Sequence, residues 1–206
     1  MDARRFTPGQ RVWLRGEQVT FLDFTMVGDR LYAAGLSTGI YAQSNWVLWR
    51  GGSDGEQLDV EVQSAGTARG VFAAGDMLFA VGGTPSWTVR RSFDDGDTWN
   101  TVDLFDGGGA LDDYAIQGGM IDDGTIVVIG TMIDGSFDNH VLVRASADHG
   151  ERDSWATVAD MLVDGMPTRP KRVVHGPDDS FYMPLIVNGP NDITLWRTAR
   201  WTCVPP

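Results

Sequence analysis

Cysteine is nearly absent from this sequence. Cys203 is the only one in 206 residues, which excludes an intrachain disulfide and leaves no thiolate pair for a metal. Histidine is scarce as well: His140, His149 and His175 are scattered without the spacing of zinc ligands, so neither a metal nor a cofactor is expected. Among sixteen cationic residues only Lys171 is a lysine, and the glutamates are Glu17, Glu56, Glu61 and Glu151. Against twenty-eight acidic residues this leaves a net charge of −12. No basic field exists to displace counterions from nucleic acid or an anionic membrane, and neither is expected as a partner. Long apolar runs are missing too. No segment approaches a membrane span, and the opening MDARRFTPGQRVW lacks the apolar stretch of a secretory signal. The expectation is a soluble chain without an export address, cytoplasmic or incorporated in a virion.

What is abundant is glycine and tryptophan, twenty-six and eight residues respectively. That pairing suits many tight turns with large rigid side chains filling the space between layers. The glycines also mark a repeat. Gly28-Asp29-Arg30-Leu31-Tyr32-Ala33-Ala34-Gly35 returns as Gly75-Asp76-Met77-Leu78-Phe79-Ala80-Val81-Gly82, and again as Asp123-Gly124-Thr125-Ile126-Val127-Val128-Ile129-Gly130. Asp179-Ser180-Phe181-Tyr182-Met183-Pro184 is a fainter copy. Each copy is a turn followed by a β-type run. Each is followed by a polar loop and a second strand ending near an arginine: Trp46–Arg50, Thr88–Arg91, Val141–Arg144 and Thr194–Arg197. A further strand comes after, at Leu58–Val62, Asn100–Leu104 and Trp155–Ala159, and nothing between them has helical periodicity. Four strands per repeat at this period predict an all-β fold, a β-propeller of about four four-stranded blades, because a single sheet cannot bury its faces alone. Residues 1–206 are expected to form one propeller domain, with repeats at approximately 19–63, 69–105, 114–160 and 171–205. Arg11-Val12-Trp13-Leu14-Arg15 has the look of an extra strand and is expected to pair with the last blade and close the ring, since an open edge invites association.

Within the second repeat, RRSFDDGDTWNTV crowds three aspartates and a tryptophan into one turn. Calcium binding fails on spacing, because the twelfth position counted from Asp94 is Phe105 rather than a glutamate. Ser92, Asp94, Gly96, Thr98 and Trp99 fit Ser-x-Asp-x-Gly-x-Thr-Trp, and Ser146, Asp148, Gly150 and Trp155 repeat the frame with two extra residues before the tryptophan. On these residues the chain resembles the Asp-box (bacterial neuraminidase repeat) propellers of the sialidase-like superfamily. In the first repeat Gly51, Ser53, Gly55 and Leu58 hold the equivalent places, a decayed box, and the last repeat keeps only Thr198 and Trp201. The chemistry of the box suits a turn: short Ser and Asp side chains accept hydrogen bonds from backbone N–H groups, and the glycine takes a positive φ.

The resemblance implies a six-bladed enzyme with an arginine triad, a Tyr/Glu nucleophile pair and an Asp acid/base, but those motifs do not align here. Thr168-Arg169-Pro170 lacks the aromatic and isoleucine of the family's Arg motif. No catalytic residue is therefore assigned, and no tyrosine–carboxylate pair with a perturbed pKa is expected in a central pocket. The resemblance further implies that the boxes lie on the propeller face opposite the functional one. The loops of that functional face present Tyr41, Asn45, Trp87, Asp112, Tyr114, Asn139, His140 and Arg169 as candidate ligand contacts, aromatics beside amides and charges as in sugar binding. Trp46 and Trp87 also read as packing between blades, and Asp112 and Asp113 as solvated loop charges. The sequence thus points to a non-enzymatic module recognising glycan or protein in a larger assembly, such as a phage or other virion component, and able to self-associate. The alternative is a divergent sialidase-type glycosidase or lyase.

Overall fold

The computed structural model describes residues 13–14, 17–38, 44–52, 57–63, 66–83, 86–107, 112–163, 173–176, 180–186 and 193–197. Among them every regular element is a strand. The first sheet holds β1 (Trp13–Leu14), β2 (Glu17–Val27), β3 (Arg30–Thr38), β4 (Ser44–Gly52) and β5 (Gln57–Gln63) in chain order. The second holds β6 (Thr67–Ala74), β7 (Met77–Gly83), β8 (Trp87–Ser92) and β9 (Asn100–Phe105). The third holds β10 (Asp112–Met120), β11 (Ile126–Ile133), β12 (Asn139–Ser146) and β13 (Trp155–Val163). The fourth has β14 (Val174–His175), β15 (Phe181–Ile186) and β16 (Ile193–Arg197). All pairings are antiparallel meanders, and the inner strands β2, β6, β10 and β14 pack on one another in order. This is the expected propeller-type architecture. Among the described residues no helix is long and apolar enough to cross a membrane.

The repeated glycine has a mechanical reason. Three inner strands, β2, β6 and β10, carry a bulge, at Phe21/Asp23, Ala68/Gly70 and Ala115/Gln117. At each bulge the strand presses a carbonyl oxygen toward the second strand. A Cβ at Gly35, Gly82 or Gly130 would lie 2.1, 2.0 or 2.1 Å from the carbonyl oxygen of Thr20, Thr67 or Tyr114. Only hydrogen fits. At two of them the hollow takes an indole from the preceding sheet: the same hypothetical Cβ at Gly82 lies 2.8 Å from the Trp46 ring, and at Gly130 2.4 Å from the Trp87 ring. Trp46 and Trp87 stand at equivalent places and are 3% and 0% exposed. Their packing reading holds.

Apolar residues fill three junctions among the described residues. Tyr32, Ala34, Trp46 and Leu48 meet Val71, Leu78 and Ala80 between the first two sheets. Phe79, Val81, Trp87 and Val89 meet Ile126, Val128 and Leu142 between the next two. Ile129, Val141 and Val143 meet Val173, Phe181 and Met183 at the last. Polar ties cross the same junctions. The Asp23 carboxylate accepts from Val71 N at 2.9 Å and Gln117 Nε2 at 2.6 Å, so one side chain of the first sheet holds the next two. Arg144 donates through Nε and Nη2 to the two Asp103 oxygens at 2.7 and 2.8 Å, with both groups buried.

The expected closure by the N-terminal strand is corrected. Trp13 and Leu14 pair with Gln18 and Glu17 of β2 and extend the first sheet instead. A hairpin with a two-residue connection costs less closure entropy than reaching the far blade. The fourth strand of the last repeat, around Thr198 and Trp201, lies outside the described residues.

Gly82→Ala should cost about 1–3 kcal/mol by overpacking against backbone and indole together, read as a lower denaturation midpoint. Asp103→Ala leaves a buried guanidinium without its carboxylate and should cost about 3–5 kcal/mol, where Asp103→Ala combined with Arg144→Met should recover part of the loss.

Candidate functional site

The meander separates two ends of the stack. The turns between third and fourth strands lie at one end, and the loops between second and third strands at the other.

At the first end, Ser92 and Ser146 build matching turns. Ser92 Oγ accepts from Asp94 N at 3.3 Å and Gly96 N at 2.9 Å, and Ser146 Oγ accepts from Asp148 N at 3.3 Å and Gly150 N at 3.0 Å. Asp94 takes Thr98 N at 2.8 Å and Thr98 Oγ1 at 2.6 Å. Gly96 and Gly150 have φ of 88° and 71°, which a side chain would resist. Each turn leans on the blade before it. A Cβ at Gly96 would lie 3.3 Å from the Tyr32 ring, and one at Gly150 2.6 Å from the Phe79 ring. Beside these rings stand Arg50 and Arg91, the cross-strand partners of Tyr32 and Phe79. Arg50 donates to Asp95 O at 2.7 Å and pairs with Asp97 at 2.6 Å. Arg91 donates to His149 O at 2.9 Å and pairs with Glu151 at 2.9 Å. An aromatic ring and an arginine thus receive the following blade's turn, twice over. His149, with φ of 47°, is part of the turn.

This clasp contains a tyrosine–carboxylate pair that spacing alone did not suggest. The Tyr32 hydroxyl donates to the Asp95 carboxylate, which also pairs with Arg30. Burial raises the phenol's pKa, against the lowering pull of Arg30 and Arg50. The phenol therefore stays protonated at neutral pH. It works as a hydrogen-bond donor at a blade junction, the opposite of an activated nucleophile.

At the other end, the hairpin loop between β11 and β12 is closed on itself. Asp134 N donates to Asp138 O at 3.0 Å and its carbonyl accepts from Phe137 N at 3.0 Å, while its carboxylate accepts from Ser136 N and Asp138 N, each at 2.9 Å. The Asp138 N–H lowers the Asp134 pKa against an opposing desolvation, with the Ser136 N–H and the His140 ring adding to the lowering. The loop thrusts Phe137 outward, 75% exposed and with φ of 67°. That conformation is rare for a bulky residue and is a feature that functional sites concentrate. Behind it His140 Nδ1 lies 2.7 Å from Asp160 Oδ1, and Nε2 faces Asp134 Oδ2 at 3.7 Å. Leu162, 57% exposed, is the cross-strand partner of His140. A histidine held between two carboxylates can orient a hydroxyl or carry a proton. Among the described residues no group of three His, Cys, Asp or Glu side chains is arranged to hold a metal ion.

Of the candidate contacts, Asn139 and His140 belong to this end, on the third sheet. Asn45 is at the equivalent end of the first sheet, with its Nδ2 3.5 Å from Ser37 Oγ. Asp112 begins β10. Tyr41 and Arg169 lie outside the described residues. Two expectations are corrected. Trp87 and Tyr114 are 0% and 2% exposed and serve the junctions, Trp87 over Gly130 and Tyr114 beneath the Arg69 guanidinium at 3.7 Å. Asp113 is likewise no solvated charge: it is buried and accepts from Trp87 N at 2.9 Å and Gly107 N at 3.2 Å. Sequence reading missed Asp134, Phe137 and Asp160. The Asp-Gly-Ser-Phe-Asp-Asn string was a loop signal, but loop composition does not tell which residue is presented.

No protein-family model matches the chain, and no curated protein matches it significantly. Among solved structures it is similar to the Hadza microbial sialidase Hz136, at 14% identity and a TM-score of 0.62, over 87% of this chain and 43% of that one. A proposed exo-beta-1,3-galactanase from Bifidobacterium bifidum s17 matches at 15% identity and a TM-score of 0.38, over 58% of this chain and 45% of that one, a likeness too low to support inference. The chain spans less than half the length of either. The likeness to the sialidase is one of fold.

Hydrogen bonds from the Thr98 hydroxyl and N–H, with the Ser92 hydroxyl, lower the Asp94 carboxyl from 3.8 to about 2. A depressed pKa adds stability that is present above the unfolded value and lost as pH falls through the folded one. The melting-temperature deficit of Asp94→Asn against wild type should therefore be full above about pH 5, shrink between about pH 4 and pH 2, and be nearly gone below.

Proposed function

We propose that this protein is a non-enzymatic Asp-box propeller whose loop end recognises carbohydrate, within a larger assembly such as a virion. The Ser92 and Ser146 turns are its Asp boxes, spent on joining blades. The observation that carries the reading is Phe137: an exposed ring, fixed outward by the Asp134 loop, beside Asn139, His140 and Asp160. A flat ring covers the C–H face of a pyranose, and the Asn139 amide and the Asp160 carboxylate satisfy its hydroxyls. The fold it shares with a protein named as a sialidase supports the same ligand class.

One arrangement favours a second reading. His140 between Asp134 and Asp160 is capable of general acid–base work, so a divergent glycosidase remains the alternative. A glycan array and a panel of fluorogenic glycosides separate the two. The expected outcome is binding without turnover, with Phe137→Ala losing about 2 kcal/mol, roughly thirtyfold in Kd, and Asp94→Asn leaving affinity unchanged. Hydrolysis abolished by Asp160→Asn would establish the enzyme. Binding lost in Asp94→Asn and kept in Phe137→Ala would put recognition at the wrong end.

A further inference from the structure

The two oxygens of the Asp134 carboxylate have different work. Oδ1 accepts from the Ser136 and Asp138 N–H groups, at 2.9 Å each. Oδ2 lies 3.7 Å from His140 Nε2. The other ring nitrogen, Nδ1, is 2.7 Å from Asp160 Oδ1 on β13. One imidazole therefore stands between the loop that carries Phe137 and the outer strand of the third sheet.

These two contacts together select the charge state of the ring. At 2.7 Å a proton has to lie between Nδ1 and the Asp160 carboxylate, which makes Nδ1 a donor. Nε2 is then the nitrogen that can gain or lose a proton. It is buried from solvent and has no hydrogen-bond partner. In the neutral ring it is a lone pair set opposite a carboxylate oxygen, two acceptors with no proton to share. In the imidazolium it turns an N–H and a positive charge toward Asp134. Only the protonated ring suits both carboxylates. His140 in turn contributes to the lowered pKa of Asp134, so Asp134 is ionised wherever a histidine titrates. The cross-strand neighbours of His140, Met132 on β11 and Leu162 on β13, carry no charge. Among the described residues the charged groups that meet the ring are thus Asp160 from β13 and Asp134 from the loop, with Asp138 on the same loop.

We propose that His140 is a positioning residue for Phe137: its protonated ring ties the Asp134 loop to β13, and loss of that proton as pH rises frees the loop. Without the charge, the Asp134 carboxylate keeps only the Ser136 and Asp138 N–H groups among its described contacts. Phe137 has a φ of 67°, which a bulky residue does not keep unaided, and it leaves its outward position more often. Histidine changes charge between about pH 5 and pH 8, so the brace is full at the acid end of that window and lost at the other. That a ligand feels the change rests on the carbohydrate reading of this end. The movement of the loop does not.

NMR of the ligand-free full chain tests the movement by itself. The His140 ring protons follow its titration, and hydrogen exchange, corrected for its intrinsic pH dependence, reports protection of the Ser136 and Asp138 amides. Protection should fall at least about threefold across the His140 titration, the size of a partly exposed ion pair, with the same midpoint as the ring. Asp134→Asn keeps an acceptor for both amides but removes the charge opposite Nε2, and His140→Gln removes the titration. In each the fall should vanish. A glycan array read at about pH 5.5 and about pH 8 should lose wild-type binding at the higher pH by a similar factor, and not that of Asp134→Asn. Flat protection in the wild type, or a fall that persists in His140→Gln, overturns the proposal. A loop that titrates in this way on a chain that binds no glycan sustains it and sinks only the carbohydrate reading. Glycan binding by a loop indifferent to pH does the reverse.

Discussion

Three glycines opposite three bulges set the spacing on which the stack depends. Where the inner strand bulges, its carbonyl oxygen comes too close to the second strand for any Cβ, and the missing side chain opens a hollow on the sheet face. Trp46 and Trp87 fill two of these hollows from the preceding blade. A bulge thus twists the strand, and the space it creates is taken by the largest side chain available. At these two junctions glycine and tryptophan are needed together, each where the other is used.

Around this apolar contact the arginines act as inter-blade connectors. Arg50 and Arg91 reach carbonyls and carboxylates in the following blade's turn, and Arg144 grips Asp103 across a junction. A planar guanidinium can bridge a carbonyl and a carboxylate at once, and it can also sit over a ring, as Arg69 does over Tyr114 and Arg144 over Phe105. An ammonium does not offer that geometry. The near absence of lysine carries no visible message in the sequence, but the clasps account for where the arginines are used.

The two ends of the stack divide the work in consequence. At the Ser-turn end, polar groups are consumed by the turns and by the neighbouring blade, and even Tyr32 and Asp95 are spent on each other. At the other end the described loop between β11 and β12 is closed on itself. There Asp134 organises its own loop, and Phe137 is left facing outward in front of the His140–Asp160 pair. Chemistry available to a ligand is found where packing makes no claim on it.

The sequence by itself determined the strands, the repeat, the blade count and the two serine turns. These depend on residues close together in the chain: alternation within a strand, glycine at a positive φ, a serine hydroxyl reaching backbone two and four residues on. It did not determine which residues at strand ends face solvent. Trp87 and Asn139 both begin third strands, yet Trp87 has the next sheet's glycine hollow above it and is buried, while Asn139 is only half-buried. Tyr32 and Asp95, 63 residues apart, meet only because one blade's turn lands on another blade's face. The course of the N-terminal strand was likewise a contest between a two-residue hairpin and a distant sheet. Such outcomes depend on how blades lie against each other, and tertiary packing alone decides them.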